Sequence, residues 1–265
     1  MFSVLRGKPV NENERLCAFA VGAATPLYDD LLDETGLTHE DIMQAVGDDN
    51  HPMRHQIRLF HYLMQQAFDH VSLSADYRRF FDLVVQSQKE SLRQELPQIL
   101  DKSEVARLTA EKGGYATLLF RHILENPLRH GEQEAIFALG NMLQYVNDLF
   151  GLWFDSQKKR QTLVTMSNDT AEMRKTFHQL FDKAASLSLS MDYPDKNIKR
   201  YLKIVCLIAS RALVCLDHYD TFITGETPFE PNKLSRQQLV CDMEKPVNLL
   251  SNLQQSGQLY RQFTR

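Results

Sequence analysis

Hydrophobic residues recur every three or four positions along nearly the whole chain, which is the spacing of one face of an α-helix. No alternating run of apolar and polar residues is long enough to predict a strand, and no Asn-Gly or Asp-Gly pair joins two such runs. The pattern therefore predicts an all-α protein. Helices are expected at residues 12–34, 38–46, 52–71, 75–95, 103–125, 132–159, 170–190, 195–223, 235–242 and 247–263.

Short polar residues mark several of the expected helix starts, because their side chains can accept hydrogen bonds from the free N–H groups of a first turn. Residues of this kind are Thr38, Ser74 and Ser235. The clearest loop is predicted at residues 224–233, which are rich in glycine, proline and polar side chains. Since no break resembles a domain linker, residues 1–265 are expected to form a single helical domain.

Composition narrows the class of protein. The 265 residues are 43 % hydrophobic and 24 % charged, which is ordinary for a globular chain. A net charge of −4 gives no basic field for phosphate backbones, so no nucleic acid partner is expected. The longest apolar run, residues 204–216, is interrupted by Ser210 and Arg211 and is shorter than the roughly 20 residues that span a bilayer. We expect no transmembrane segment, no secretory signal and, by default, a cytoplasmic location.

Residues 27–34, LYDDLLDE, place four acids at the end of an otherwise apolar predicted helix. Asp29 and Asp33 are four residues apart and share a face, with Asp30 beside them. Like charges at this spacing repel one another, and the helix dipole is also negative at this end. The cluster indicates either a solvated helix end or a site for a hard cation such as Mg²⁺, which prefers carboxylate oxygens.

A second polar line lies in the predicted helix 132–159, where Asn147, Gly151 and Asp155 recur at every fourth residue beside an apolar stripe. Structural hydrogen bonds with a close helix crossing at Gly151 are one interpretation, and an oxygen-donor face is the other. The basic residues that follow at once are Lys158, Lys159 and Arg160. Two oxygen-donor faces with cations nearby predict a diphosphate site in which Mg²⁺ bridges protein and substrate oxygens.

The segment EKGGYATLLF, residues 111–120, places a lysine and two glycines inside a predicted helix. Each glycine in a helix interior costs about 1 kcal/mol relative to alanine, so the pair predicts a break, a kink or a close approach of another segment. An ordinary helix junction is one interpretation of this segment, and a role for Lys112 as a diphosphate contact is implied only by the family resemblance described below.

Two of these segments resemble motifs of a known family. DDLLD, residues 29–33, resembles the DDxxD motif of class I isoprenoid (terpenoid) synthases. NDLFGLWFD, residues 147–155, is similar to their second motif, N-D-x-x-[S/T/G]-x-x-x-E, with Asp155 in place of Glu. The longer phrase LQYVNDLFGLWFD resembles the LQxxNxxRDxxxD helix of squalene and phytoene synthases. That helix is matched at Leu143, Gln144, Asn147 and Asp155. Phe150 and Gly151 depart from it, since those enzymes have Arg and Asp there.

The resemblance, to squalene and phytoene synthases or to terpene cyclases, implies a single-domain helical bundle with a central cavity. It implies an enzyme that ionises a prenyl diphosphate, releases diphosphate, and couples or cyclises the allylic cation. Up to three Mg²⁺ ions are implied, two on Asp29, Asp30 and Asp33 and a third on Asn147 and Asp155. The expected diphosphate contacts are Lys112, Lys158, Lys159 and Arg160. A homodimer is left open.

A different class of function also stays open. Gly151 removes a side-chain ligand that many members of the family supply, and the first motif begins as early as residue 29. The alternative prediction is a catalytically weakened helical module of the same fold that binds a prenyl lipid or a partner protein.

Overall fold

The computed structural model describes residues 1–33, 36–48, 50–72, 74–95, 97–222 and 229–263, without the side chains of Asp33, Val46 and Ser74. All regular secondary structure in these ranges is helical, which confirms the all-α prediction. The α-helices are α1 (Phe2–Arg6), α2 (Glu12–Asp33), α3 (His39–Gln44), α4 (Arg54–His70), α5 (Ser74–Ser91), α6 (Lys102–Arg121), α7 (Glu132–Gln157), α8 (Thr170–Leu189), α9 (Asp195–Asp220), α10 (Arg236–Leu239) and α11 (Pro246–Gln262). Short 3₁₀ turns occur at Ala45–Gly47, Leu92–Glu95 and Pro231–Lys233.

Each predicted helix has a counterpart, and the differences lie mainly at the ends. The predicted helix 103–125 ends at Arg121, and residues 92–95 continue α5 as a 3₁₀ turn. Helix α1 was missed because its five residues are too short to show a helical period. Residues 224–228 of the predicted loop, and residue 223 at the end of the predicted helix 195–223, lie outside the described residues.

Two of the predicted N-caps are confirmed as reciprocal capping boxes. Asp41 donates its backbone N–H to Thr38 Oγ1 over 3.1 Å, and its carboxylate accepts from the Thr38 N–H over 2.8 Å. At the start of α10, the Ser235 N–H donates to Gln238 Oε1 over 3.0 Å. The side chain of Ser74 lies outside the described residues, so its cap stays a prediction.

The chain divides into two compact units, which are described separately. The smaller unit comprises residues 9–89 and 119–127 and contains α2 to α5. Helix α2 packs along α4, and the amphipathic faces of these helices bury a common apolar core. That core contains Ala24, Tyr28, Leu31, Leu32, Ile42, Ile57, Phe60 and Met64.

The larger unit comprises residues 1–8, 90–118 and 128–265. Helices α7, α8 and α9 pack against one another, while α11 and α1 both pack against α9. Its core is rich in fully buried aromatic rings, among them Tyr145, Phe177, Phe181, Tyr201 and Tyr219. The prediction of a single domain over the whole chain stays a prediction.

The hydropathy of the described helices bears on whether any of them can cross a membrane. Within the residues that the structure describes, no helix combines the length and the apolar character needed to cross a bilayer.

Candidate functional site

The larger unit contains a polar cavity of about 190 Å³. This is smaller than the roughly 300–1,000 Å³ of pockets that enclose a drug-sized molecule, so its volume suits a charged head group. Nine polar or charged side chains and one glycine line it. They are Gln94, Thr109, Lys112, Gln144, Asn147, Asp148, Gly151, Asp155, Arg160 and Thr162.

Helix α7 supplies half of this lining through one face. Gln144, Asn147, Asp148, Gly151 and Asp155 follow one another at spacings of one to four residues and fall on neighbouring rows of the helix. Asp148 and Asp155 are only 6 % and 7 % exposed, whereas Asn147 is exposed. Of the two polar side chains singled out in the sequence, Asp155 is therefore shielded from solvent and Asn147 is not.

Asp148 is the most perturbed carboxyl group of the cavity. Burial raises its pKa to about 7, because an ionised carboxylate loses its hydration there. Gln144 Nε2 donates a hydrogen bond to Asp148 Oδ1 over 2.8 Å, which lowers the pKa, and the nearby Asp155 raises it. The positive charges of Lys112 and Arg160 also lower the pKa of Asp148. Near neutral pH this carboxyl group is thus poised between its two forms, and an added cation would favour the charged form.

Asp155 is held close to its own helix. Burial raises its pKa, while the neighbouring charges of Arg160 and Lys112 lower it. Arg160 Nη1 lies 3.5 Å from Asp155 Oδ1. A Cβ atom at Gly151 would lie 3.3 Å from Asp155 Oδ2, closer than most such contacts. The glycine therefore gives the carboxylate of Asp155 room beside the helix.

The C-terminal turn of α7 directs Arg160 back toward Asp155. The Arg160 N–H donates to the Asp155 carbonyl over 2.8 Å and the Lys159 N–H to that of Ser156 over 3.2 Å, which is the Schellman pattern. Lys159 takes the left-handed conformation, with φ of 55°. Lys158 and Lys159 are exposed and Arg160 lines the cavity, so among the described residues the three predicted basic contacts do not all meet there.

The segment after α7 is fixed by the 3₁₀ turn Leu92–Glu95. Arg160 Nε donates to Glu95 Oε1 over 2.8 Å. The Gln161 N–H donates to the Gln94 carbonyl over 2.9 Å, and Gln94 Nε2 donates back to the Gln161 carbonyl over 2.7 Å. These reciprocal bonds hold Gln94 and Arg160 at the wall of the cavity.

Lys112 reaches the cavity through a close helix crossing. A Cβ atom on Gly113 would lie 2.2 Å from the Gly140 carbonyl oxygen, and one on Gly140 would lie 2.2 Å from that of Gly113. Helix α6 continues through the glycine pair, so of the three alternatives predicted there the structure shows the close approach. Gln144 lies at the same crossing, with its Cβ 2.6 Å from the site of a Gly113 Cβ. The absence of two side chains therefore allows Lys112 to approach the polar face of α7.

The first acidic cluster belongs to the smaller unit. Asp29 is half-buried and accepts a hydrogen bond from Gln88 Nε2 over 3.1 Å, and Asp30 is exposed. Asp33 is the last residue of α2, and its side chain lies outside the described residues. The described side chains contain no group of three or more His, Cys, Asp or Glu residues placed to hold a metal ion. The metal role of these three acids stays a prediction.

Several cavity residues were missed by the sequence analysis. They are Gln94, Thr109, Asp148 and Thr162, and Gln144 was noted only as a motif match. Asp148 carried a usable signal, because it is four residues after Gln144 on the same helix face. Gln94 lies in the 3₁₀ turn that ends the predicted helix 75–95, and Thr162 lies in a segment without regular secondary structure, so neither belongs to a face of an α-helix.

Fold and site together define an all-α protein with a charged polar cavity lined by α6, α7 and two neighbouring segments. Comparisons with protein-family models, with curated proteins and with solved structures find no match to this chain.

Proposed function

We propose that this chain is a Mg²⁺-dependent enzyme that ionises a prenyl diphosphate, releases diphosphate, and couples or cyclises the allylic cation. The observation that carries the proposal is that Lys112, Asn147, Asp155 and Arg160, nominated from the sequence for diphosphate and metal binding, line one cavity. Asp148 adds a second buried carboxyl group to the same cavity.

The cavity suits the head group of such a substrate. Its volume of about 190 Å³ is below that of pockets enclosing a whole drug-sized ligand, so the prenyl chain would extend outside it. Lys112 supplies a compact positive charge, and Arg160 supplies a planar set of N–H donors that match phosphate oxygens. Together these two side chains would bind the diphosphate and offset the charge that develops on it as it leaves.

The donor set also fits a magnesium ion. Mg²⁺ usually takes one or two protein carboxylates and leaves its other positions to water and phosphate oxygens. Asp148 and Asp155 provide two carboxylates, and Asn147 provides an amide oxygen. The buried Asp148, whose pKa is raised to about 7, would be stabilised in its charged form by a cation. When bound, the ion supplies charge neutralisation for the leaving diphosphate.

The test is diphosphate release from geranyl, farnesyl and geranylgeranyl diphosphates with and without Mg²⁺. We expect release that requires Mg²⁺ and that falls at least about 100-fold in Asp155→Asn, which removes a carboxylate charge, and in Asn147→Ala, which removes an amide oxygen. Lys159→Ala is the matched control, because this exposed residue of the same helix end should leave the rate unchanged.

The assay also separates the proposed enzyme from a binding module of the same fold. Retention of a prenyl diphosphate without diphosphate release would support the binding module and contradict the enzyme. Release that is insensitive to Asp155→Asn would place the reaction outside this cavity.

A further inference from the structure

Thr109 has a buried hydroxyl group whose hydrogen bonding is incomplete. Its side chain is 2 % exposed, and within the described part of the chain Oγ1 has no hydrogen-bond partner. Leaving a buried hydroxyl unpaired typically costs about 1–3 kcal/mol, so such groups are uncommon in folded proteins. Tyr77, Asn141 and Tyr201 also have such atoms, but of these four residues only Thr109 lines the polar cavity.

Other threonines in helices of the larger unit show how such a hydroxyl is usually satisfied. Thr117, two turns further along α6, donates to the Gly113 carbonyl over 2.8 Å. Thr176 on α8 donates to the Glu172 carbonyl over 3.0 Å. Both use the carbonyl group four residues earlier, the common local partner of a helical threonine. Thr109 is on the same helix as Thr117 and does not follow this pattern.

The location of Thr109 identifies the missing partner. Thr109 lines the polar cavity, and it lies three residues before Lys112 on the same face of α6. Lys112 and Arg160 are the cations that an anion entering this cavity would contact, and Arg160 is also ion-paired with Glu95 and Asp155. Threonine uses two χ1 rotamers in helices, so the hydroxyl group can turn toward an oxygen atom that enters the cavity.

We propose that Thr109 is a ligand-binding residue of this cavity, and that its hydroxyl donates a hydrogen bond to an oxygen of the diphosphate group held by Lys112 and Arg160. This inference rests on the proposed function for the identity of the anion. A hydroxyl that donates to a charged oxygen gains more than one that donates to a neutral group, which offsets its lack of a partner in the free protein.

The proposal predicts opposite effects on ligand affinity and on stability. Thr109→Val keeps the shape of the side chain and removes the hydroxyl. We expect inorganic diphosphate, titrated with Mg²⁺ by calorimetry, to bind roughly 10- to 100-fold more weakly, as for loss of a hydrogen bond to a charged group. The urea midpoint of the ligand-free protein should stay the same or rise, because an unpaired polar group has been replaced by a methyl group.

Two further variants serve as controls. Thr109→Ser retains the hydroxyl and should bind diphosphate within about threefold of the wild type. Thr117→Val removes a hydroxyl that is already paired inside α6, and should lower the urea midpoint while leaving diphosphate affinity within about threefold. Thr109→Ala provides a second hydroxyl-free variant if Thr109→Val does not fold.

The outcomes distinguish this inference from the proposed enzyme. Unchanged affinity in Thr109→Val, a lower urea midpoint in that variant, or a wild-type protein that does not bind diphosphate would overturn the role of Thr109. Tight binding that weakens in Thr109→Val, without any turnover of prenyl diphosphates, would support Thr109 and contradict the enzyme. Turnover of prenyl diphosphates, with a diphosphate affinity that is unchanged in Thr109→Val, would support the enzyme and contradict the role of Thr109.

Discussion

The acids of α2 and those of α7 have the same chemistry in the sequence and different surroundings in the structure. Asp30 is exposed, and Asp29 is half-buried beside the amide of Gln88. Asp148 and Asp155 are almost completely buried in a cavity that also contains two cationic side chains. Burial raises the pKa of both α7 carboxyl groups, and it raises that of Asp148 to about 7.

This difference shows that a run of acidic residues is a weaker indication of a site than buried acids next to cations. A charge on an exposed helix end is stabilised by water and needs no ligand. A carboxylate inside the protein loses that hydration and must be protonated, paired or bound to a cation. The density of acids in the sequence was higher at residues 29–34, whereas Asp148 and Asp155, whose pKa values are raised by burial, lie on α7.

The largest effect on stability is expected from substituting a glycine of α7, and a glycine of α2 provides the comparison. Gly140→Ala should lower the free energy of unfolding by about 3 kcal/mol, because its Cβ would overlap the backbone of Gly113 and force α6 away from α7. Gly22→Ala on α2 should instead raise it by roughly 0.5–1 kcal/mol, since Gly22 is exposed and no described atom outside its own helix backbone lies within 4 Å of the new methyl group. Urea denaturation measures both. Equal effects of the two substitutions would contradict the close crossing.

A second test uses pH in metal-free buffer. The folded protein holds a proton on Asp148 up to a pKa of about 7, whereas the unfolded chain loses it near 4. The unfolded state therefore binds fewer protons between these values, and the free energy of unfolding should fall by roughly 2–4 kcal/mol as pH rises from 4 to 7. Asp155, whose pKa is also raised, adds to this fall, whereas Glu104 and Asp101, whose pKa values are lowered by side-chain hydrogen bonds, oppose it.

Asp148→Asn should remove most of that pH dependence, since its amide does not titrate. The matched variant Asp30→Asn in the exposed cluster should retain it. Denaturant unfolding at several pH values measures the slope. An equal pH slope in the wild type and in Asp148→Asn would show that Asp148 is already ionised without a cation.

The third test compares two lysines predicted to contact diphosphate. Lys112→Met should weaken the binding of inorganic diphosphate with Mg²⁺ roughly 10- to 100-fold, because a charge in the cavity is lost. Lys159→Met should change it less than about twofold, since Lys159 is exposed and charges in water are screened. Calorimetry measures both affinities. A larger loss for Lys159→Met would mean that the diphosphate lies outside the cavity.

The smallest effect is expected at the turn that ends α7. Lys159 occupies the left-handed region, which glycine adopts without strain, so Lys159→Gly should raise the free energy of unfolding by roughly 0.5–1 kcal/mol. Lys158 has ordinary helical angles, and Lys158→Gly should lower the free energy by a similar amount. Thermal unfolding measures the change in stability of both variants. Destabilisation by Lys159→Gly would argue against the Schellman turn that directs Arg160.

Much of the fold could be predicted from the sequence because helices depend on local information. Hydrophobic spacing located every helix of eight residues or more, and the caps at Thr38 and Ser235 follow from side chains three residues apart. The predicted ends were less accurate, as at Arg121, because fraying and 3₁₀ turns leave little trace in the hydrophobic pattern.

The candidate site was only partly predictable. Lys112, Asn147, Asp155 and Arg160 were nominated from their sequence patterns, and the structure places them around one cavity. Asp148 was missed because strict four-residue spacing was followed from Asn147, which excluded its immediate neighbour. Thr109 could not be recognised, since an unpaired hydroxyl is defined only by the atoms around it.

The sequence by itself determined an all-α chain, the approximate extent of its helices and a polar line on α7, because each depends on residues a few positions apart. The tertiary structure alone decided which polar side chains share a cavity. Gly113 and Gly140 are far apart in sequence, yet their contact brings Lys112 to the face of α7 that carries Asp148. Burial at that contact, and not the number of acids, sets the electrostatics of the site.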